Sequence, residues 1–281
     1  MFGLLVGVWV ARYLGPGTYG QLAYIVTLVS LFQVVVSLGM DTILVREITC
    51  NKNEAAQILG SAIFMRFIVG CISIVLLVGG VTIFNGAYFG VLTLLASGGL
   101  LLQCTDTIDI WFQSQSQSKR TVIAKLCSYT ITNILRIILI IYNAPLWTFA
   151  LLLSIDASLS ALALTFAYKT FKTAHRWHVS LLRCKALLSE SWPFLISGIS
   201  IILYMRIDQV LIKNIMGEKP LGIYSAAIQF STLWNFIPLT LSVSLAPYVA
   251  RKKKESEQIY YQTLCNIFLI FSIIGWCITL T

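Results

Sequence analysis

The chain has 281 residues, of which 58% are hydrophobic and 11% are charged, and its formal net charge is +9. A soluble domain carries about 25% charged residues, so this composition excludes a soluble globular protein and indicates a polytopic membrane protein. The seven cysteines are scattered and form no CxxC pair, which argues against a disulfide framework.

Apolar blocks of membrane-spanning length predict about nine helices, because a helix needs roughly 20 apolar residues to cross a bilayer. In chain order the predicted spans are 1–13, 19–44, 58–84, 87–112, 121–142, 145–168, 191–216, 220–250 and 259–281. The first is short, since 13 residues rise only ~20 Å as a helix against a hydrocarbon core of ~30 Å.

The loops between these spans alternate in charge. The odd loops, at 85–86, 143–145 and 217–220, are almost free of basic residues. The even loops carry Arg46 and Lys52; Lys119 and Arg120; Lys169, Lys172, Arg176, Arg183 and Lys185; and Arg251, Lys252, Lys253 and Lys254. By the positive-inside rule the even loops and the N-terminus face the cytoplasm. The basic excess is therefore a topology signal, and no nucleic-acid partner is expected.

Residues 169–190 form the longest predicted loop and divide the chain into an N-terminal part, 1–168, and a C-terminal part, 191–281. The segment is basic and partly amphipathic, so we expect it to lie along the cytoplasmic membrane surface. His175 and His178 are spaced i, i+3, but no Cys, Asp or Glu stands at ligand spacing. A metal site is not expected there.

The two parts are weakly alike at an offset of 202, which aligns Gly15 with Gly217 and Gly20 with Gly222. An even number of spans per part makes the repeats parallel, related by an axis along the membrane normal. The same offset places Met1 inside the seventh span. We therefore expect the chain to correspond to an incomplete version of a protein with about twelve spans.

Residues 15–20 match GxGxxG, a pattern that binds dinucleotides when it follows a strand and opens a helix. Here two membrane helices flank it, so we interpret it as an extracytoplasmic turn. No Walker motif occurs in the sequence, and direct ATP drive is not expected.

Charged and polar residues inside the spans are the candidate functional residues, because a charge at the bilayer centre costs ~2.5–3.5 kcal/mol. The fourth span carries a stripe of Gln103, Asp106, Asp109, Gln113 and Gln117, and the fifth carries Lys125, Tyr129, Thr132, Asn133 and Arg136. Asp156 lies in the sixth span, and Arg206 and Asp208 lie in the seventh.

Each charge allows a structural and a functional interpretation. Arg66 either extends to the cytoplasmic headgroups or lines a cavity, and Arg136 either extends outward or pairs inside the bundle. Asp41 and Asp109 lie close to a cytoplasmic interface. For Arg206, Asp208 and Asp156 the alternatives are interhelical ion pairs or a water-filled path.

Arg206 and Asp208 are about 200° apart around their helix, so they cannot share a face. Each must face another helix or an aqueous cavity. A transport path between the repeats would satisfy this, and an arginine in it would suit a phosphate ligand.

Three stretches resemble one family. ARYLGPGTYGQLAYIVTLVSLFQVVVSLGMDTILVREI (11–48), DTIDIWFQSQSQSKRTVIAK (106–125) and YMRIDQVLIKNIMGEKPLGIYSAAIQFSTLWNFIP (204–238) resemble bacterial polysaccharide-biosynthesis membrane proteins of the O-antigen flippase (Wzx) type. The resemblance implies the multidrug/oligosaccharidyl-lipid/polysaccharide exporter fold, in which two pseudo-symmetric six-helix lobes form a V around a cavity. In this chain the second lobe would be truncated.

The resemblance also implies a function: movement of an undecaprenyl-diphosphate-linked oligosaccharide from the cytoplasmic to the periplasmic leaflet of the bacterial inner membrane by alternating access. Arg206, Arg136 and Arg66 would attract the diphosphate or acidic sugars. Coupling or charge pairing would fall to Asp208, Asp156, Asp106, Asp109 and Asp41. No cofactor is expected, although the carboxylates would titrate if a proton or sodium gradient drove the cycle. Expected partners are the lipid-linked substrate, membrane lipids, and polysaccharide polymerase and chain-length machinery.

Three rival functions differ in testable ways. A cation-coupled exporter of drugs or small molecules from the same superfamily would use Asp41, Asp106 and Asp109 as its substrate site. A membrane enzyme such as a glycan polymerase or ligase would need catalytic residues in a large periplasmic loop, and the odd loops are too short. A scaffold without transport would not move lipid-linked sugars.

Overall fold

The computed structural model describes residues 2–51, 54–115, 117–170, 177–234, 245 and 257–279. Its helices are α1 (Phe2–Ser37), α2 (Asp41–Cys50), α3 (Ala55–Asn85), α4 (Ala87–Ala96), α5 (Gly98–Leu102), α6 (Asp106–Ser114), α7 (Ser118–Ile141), α8 (Leu146–Lys169), α9 (Leu181–Met216), α10 (Glu218–Trp234) and α11 (Glu257–Thr279). A 3₁₀ turn, Gln103–Thr105, joins α5 to α6. No strand occurs in these ranges, and the all-α prediction is confirmed.

Within the described ranges, six segments are long and apolar enough to cross a membrane. They are Gly3–Cys50, Ala55–Asn85, Ala87–Ser114, Ser118–Ile141, Leu146–Lys169 and Leu181–Met216. Their lengths and hydropathy confirm a polytopic membrane protein. The chain divides into two compact units, Met1–Tyr224 and Ser225–Thr281.

The first two predicted spans are the two legs of α1. Gly15 breaks the helix, with φ 71° and ψ 166°, a conformation that glycine adopts readily. The first leg packs Val6 and Val10 against Ile140 and Phe149. The second leg runs to Ser37, earlier than the predicted end at 44.

The early end of the second leg has a backbone cause. Leu38 and Gly39 have positive φ values of 56° and 63°, which interrupt a right-handed helix. The chain then resumes as the short helix α2.

Contacts gather the odd loops at one end of the first unit, which we call the odd-loop end. The Tyr13 hydroxyl donates to the Ala144 carbonyl at 3.0 Å. Tyr24 donates to Asn85 at 3.4 Å, and Gln21 donates to Glu218 at 2.7 Å.

The opposite end, the even-loop end, collects the second and sixth loops. The His178 N–H donates to the Ala56 carbonyl at 3.3 Å, and Arg46 pairs with Glu190 at 2.5 Å. Arg183 also pairs with Glu54 there. The second and sixth loops, which are basic, and the odd loops, which are poor in basic residues, therefore lie at opposite ends, as the charge alternation predicts.

The predicted linker 169–190 is shorter than expected, because α9 begins at Leu181. Leu187 is buried in the same apolar cluster as Trp111 and Tyr168, and this packing extends the helix upstream of Pro193. Residues 171–176, which include Lys172, His175 and Arg176, lie outside the described residues.

The eighth predicted span, 220–250, is described only as α10 and residue 245, and the basic run 251–254 lies outside the described residues along with Lys52. The ninth span corresponds to α11, in the second unit.

Candidate functional site

A cavity of about 500 Å³, here called the central cavity, lies among α1, α4–α8 and α9 in the first unit. Its polar lining residues are Ser30, Gln33, Gln103, Thr105, Asp106, Lys125, Asp156, Ser160 and Arg206. They come from five of the predicted spans. Such a polar lining inside membrane-spanning helices indicates a water-filled cavity.

The second leg of α1 contributes Ser30 and Gln33 to this cavity. The fourth span reaches it where that span is segmented into α4, α5 and α6. At the first interruption the Gly98 N–H donates to the Ser154 hydroxyl of α8 at 3.0 Å. A Cβ at Gly98 would lie 2.7 Å from that oxygen, so glycine is what allows this close approach.

Arg206 of α9 also lines the central cavity. Its side chain is half-buried. Among the described residues it forms no hydrogen bond and no ion pair. A guanidinium without a partner at this depth attracts an anion, because no carboxylate of the described chain neutralises it.

Asp156 lies on the α8 wall of the cavity, where it accepts a hydrogen bond from the Thr132 hydroxyl of α7 at 2.7 Å. Thr132 is buried. The hydrogen bond fixes the carboxylate against α7 and leaves it available to the cavity.

A second cavity of about 310 Å³ lies beside the first. Its charged lining residues are Asp41, Arg66, Asp106, Asp109 and Lys125. It shares Gln103, Asp106 and Lys125 with the central cavity. The fourth-span stripe predicted from sequence therefore faces aqueous space over the positions Gln103, Asp106, Asp109 and Gln113, whereas Gln117 follows the end of α6.

Lys125 lines both cavities; the sequence identified it as a charged residue inside the fifth span but assigned it no partner. Its ammonium lies 2.6 Å from Asp109 Oδ2 and 3.5 Å from Asp106 Oδ1. Asp106 and Asp109 are i, i+3 on α6, so one cation can reach both. A lysine in one apolar span and two aspartates in the preceding span are the sequence signal that could have predicted this pairing.

Arg66 is enclosed by protein, since its side chain is only 1% exposed. It donates to Asp41 at 2.6 Å, to the Ser37 carbonyl at 3.2 Å and to Thr107 at 3.3 Å. The interpretation that Arg66 extends to the headgroups is wrong, because a headgroup-facing arginine would be exposed. It ties α3 to the end of α1, to α2 and to α6.

Arg136 and Asp208 line neither of these two cavities. Arg136 is half-buried on α7, within electrostatic range of Tyr19. Asp208 accepts hydrogen bonds from the Tyr224 hydroxyl of α10 and from the Gln209 N–H. The structure therefore brings Arg206, Asp156 and Asp106 together around one cavity and directs Asp208 elsewhere.

Gly20 and Gly222 form a contact that is symmetric under the predicted repeat offset. A Cβ on Gly20 would lie 3.0 Å from the Gly222 nitrogen, and a Cβ on Gly222 would lie 3.0 Å from the Gly20 nitrogen. The Cβ on Gly20 would also meet the Glu218 carbonyl, and the Cβ on Gly222 would also meet the Pro16 carbonyl. Pro16 and Glu218 are themselves related by the offset of 202. Gly15 and Gly217 share extended backbone with positive φ values of 71° and 94°.

Among the described residues, no group of three or more His, Cys, Asp and Glu side chains could hold a metal ion. His178 donates through its backbone to Ala56, and its predicted neighbour His175 lies outside the described residues.

These features define a multi-pass helical membrane protein with a charged cavity between its spans. A family model described as polysaccharide biosynthesis protein matches residues 1–275, and the chain belongs to this family. No curated protein and no solved structure matches the chain. Membership indicates a transporter-type role in polysaccharide synthesis.

Proposed function

We propose that the chain is a flippase that moves an undecaprenyl-diphosphate-linked oligosaccharide, an O-antigen unit or a similar repeat unit, from the cytoplasmic to the periplasmic leaflet. The observation that carries this proposal is Arg206, a cation that lines the central cavity without an ion pair among the described residues. Membership in the polysaccharide biosynthesis family supports it.

The chemistry of the cargo suits this cavity. A diphosphate offers several oxygens, and a guanidinium can donate two parallel hydrogen bonds to such a group. The half-buried position of Arg206 strengthens that attraction, because solvent screens it less than at an open surface.

The remaining lining residues suit sugar hydroxyls. Gln33, Gln103 and Ser160 present neutral donors and acceptors to the cavity, and hydroxyl-rich glycans pair with such groups. The glycan would lie among these groups while the lipid tail stays in the bilayer.

A proton or sodium gradient would supply the energy for the transport cycle, in keeping with the absence of a Walker motif from the sequence. Asp156 and Asp106 are the carboxylates that border the central cavity. They would take up and release the coupling ion while the repeats rock between inward-open and outward-open states. In the bacterial inner membrane, the even-loop end would face the cytoplasm.

A cation-coupled exporter of drugs or small molecules is the second candidate. It would need an unpaired carboxylate to receive its cargo. Asp109 and Asp106 are instead approached by Lys125 at 2.6 and 3.5 Å, and Asp41 pairs with Arg66 at 2.6 Å. Asp156 lines the central cavity without an ion pair among the described residues, but the Thr132 hydroxyl donates to it. Arg206 lines the same cavity with neither an ion pair nor a hydrogen bond in the described part of the chain, which favours an anionic cargo.

The proposal is tested by expressing the complete encoded protein in bacteria that lack their own flippase and supply a matching lipid-linked repeat unit. We expect surface polysaccharide to return and the lipid-linked units that accumulate inside to decline. If the units stay inside while the protein is present in the membrane, the flippase proposal is wrong for that cargo. If cells instead become resistant to cationic drugs, the second candidate is correct.

A further inference from the structure

A third cavity lies on the other side of the contact between α1 and α9. It is an open groove of about 500 Å³ that α1, α3 and α9 border, and we call it the lateral groove. Its lining residues are Tyr24, Leu28, Phe32, Leu76, Leu77, Gly80, Val81, Phe84, Asn85 and Asn214. None of them lines the central cavity.

The second leg of α1 separates the two spaces. Tyr24, Leu28 and Phe32 follow one another at four-residue spacing on the groove side. Residues Val26, Val29, Ser30 and Gln33 line the central cavity. At 100° per residue the two stripes are centred roughly 150° apart. The groove is therefore an outer face of the α1–α9 contact, within the membrane-spanning part of the chain, where the surrounding solvent is lipid.

Polarity is confined to one end of the groove. Tyr24 donates to Asn85 at 3.4 Å near the odd loop that follows α3, and the exposed Asn214 lies near the end of α9. The other end, at Phe32 and Leu76, is apolar, and Leu76 is exposed. Tyr24 to Phe32 spans about 12 Å of helix, close to half of a hydrocarbon core of about 30 Å. The groove therefore matches one leaflet of lipid in length and in polarity.

A cation lies beside the polar end: Lys213 is not a lining residue of the groove, but it contacts the ring of Tyr24, which is. The Lys213 ammonium lies 4.5 Å above the Tyr24 ring and 5.2 Å from the Phe89 ring. Among the described residues it forms no ion pair. The nearby carboxylate of Glu218 accepts instead from Gln21. Aromatic faces hold the ammonium in place but leave its charge free for an anion, and cations between transmembrane helices bind lipid phosphates.

We propose that the lateral groove is a binding site for an anionic phospholipid of the odd-loop leaflet. Its headgroup phosphate pairs with Lys213, and one acyl chain lies along Leu28, Leu77 and Val81. The site is separate from the central cavity and does not depend on which cargo the protein carries.

The experiment uses the complete protein in nanodiscs that contain a phosphatidylglycerol with a diazirine halfway along one acyl chain. After irradiation, peptide mapping locates the label. We expect labelling to concentrate on the groove positions of α1 and α3, severalfold above the exposed outer residues Leu126 and Ile134 of α7. Labelling spread evenly over all lipid-facing helices would overturn the proposal.

Four variants, one of them a control, test the headgroup end and the acyl-chain part of the site. K213Q should lower groove labelling severalfold, K213R should retain it, and the matched control K219Q, outside the groove, should leave it unchanged. Gly80 has open space where its side chain would be, so Gly80→Leu should fill the groove and remove the label while Lys213 is intact. Equal labelling in K213Q and wild type would contradict the headgroup assignment. Displacement of the label by undecaprenyl phosphate, but not by excess phosphatidylglycerol, would assign the groove to the cargo lipid instead and overturn the proposal.

Discussion

Arg206 and Asp208 lie two residues apart on α9, but their side chains face different surroundings. Arg206 lines the central cavity, whereas Asp208 accepts a hydrogen bond from Tyr224 of α10. Residues two apart on a helix point in nearly opposite directions. Of the two charged residues that interrupt the seventh apolar span, Arg206 therefore faces the cavity and Asp208 joins α9 to α10.

Substitutions at Asp208 and Tyr224 should change stability rather than transport. Tyr224→Phe and Asp208→Asn should lower the thermal unfolding temperature in detergent, because each weakens the link between α9 and α10. Transport per folded molecule should stay close to wild type. Surface polysaccharide normalised to membrane protein level is the measurement. Lost transport in Asp208→Asn at normal stability would instead give Asp208 a coupling role.

Arg66 should behave as a structural residue. Arg66→Met removes the donor that Asp41, Thr107 and the Ser37 carbonyl share, and we expect a loss of about 1–3 kcal/mol in the free energy of unfolding. Asp41→Asn should cost less, because the asparagine side-chain oxygen can still accept a hydrogen bond from Arg66 although the ion pair is lost. Unfolding curves in detergent measure both. An Arg66→Met protein of normal stability would contradict this assignment.

Lys125 should be required to keep two carboxylates together. Lys125→Met leaves Asp106 and Asp109 facing one another without a cation, so their repulsion should lower the unfolding temperature. Adding Asp109→Asn removes one charge and should recover part of the loss. The double-mutant cycle measures this coupling. If the two substitutions were simply additive, the ion pair would make no contribution.

The Gly20–Gly222 contact should tolerate no side chain. Gly20→Ala and Gly222→Ala should each lower stability by about 1–3 kcal/mol, because a methyl group would meet backbone of the other repeat. Gly17→Ala is the matched control, since a Cβ at Gly17 has nothing within 4 Å. Similar unfolding temperatures for all three variants would show that the helices separate at this point without cost.

Much of the fold could be predicted from the sequence, because bilayer length and charge alternation act on contiguous segments. The apolar segments that form the helices of residues 1–168, the break near Gly15 and the separation of basic loops from loops poor in basic residues were all visible in this way. The start of α9 at Leu181 was not, since it depends on Leu187 packing against residues distant in the sequence.

The site was predictable only in part. Intramembrane charge identified Arg206, Asp156 and Asp106, which now border one cavity. It did not tell which charges neutralise one another: Arg66 is enclosed by its hydrogen bonds, and Lys125 bridges two aspartates. Pairing depends on how helices rotate against their neighbours, and hydrophobic periodicity is weak in membrane helices because their lipid-facing and protein-facing sides are both largely apolar.

The most direct test of the account compares Arg206→Ala, Arg206→Lys and the exposed control Lys219→Ala in bacteria that lack their own flippase. The readouts are surface polysaccharide and intracellular lipid-linked units, each normalised to protein in the membrane. We predict that Arg206→Ala abolishes surface polysaccharide while lipid-linked units accumulate, that Arg206→Lys retains part of the activity, and that Lys219→Ala matches wild type. Normal polysaccharide in Arg206→Ala would contradict the claim that this arginine receives the cargo.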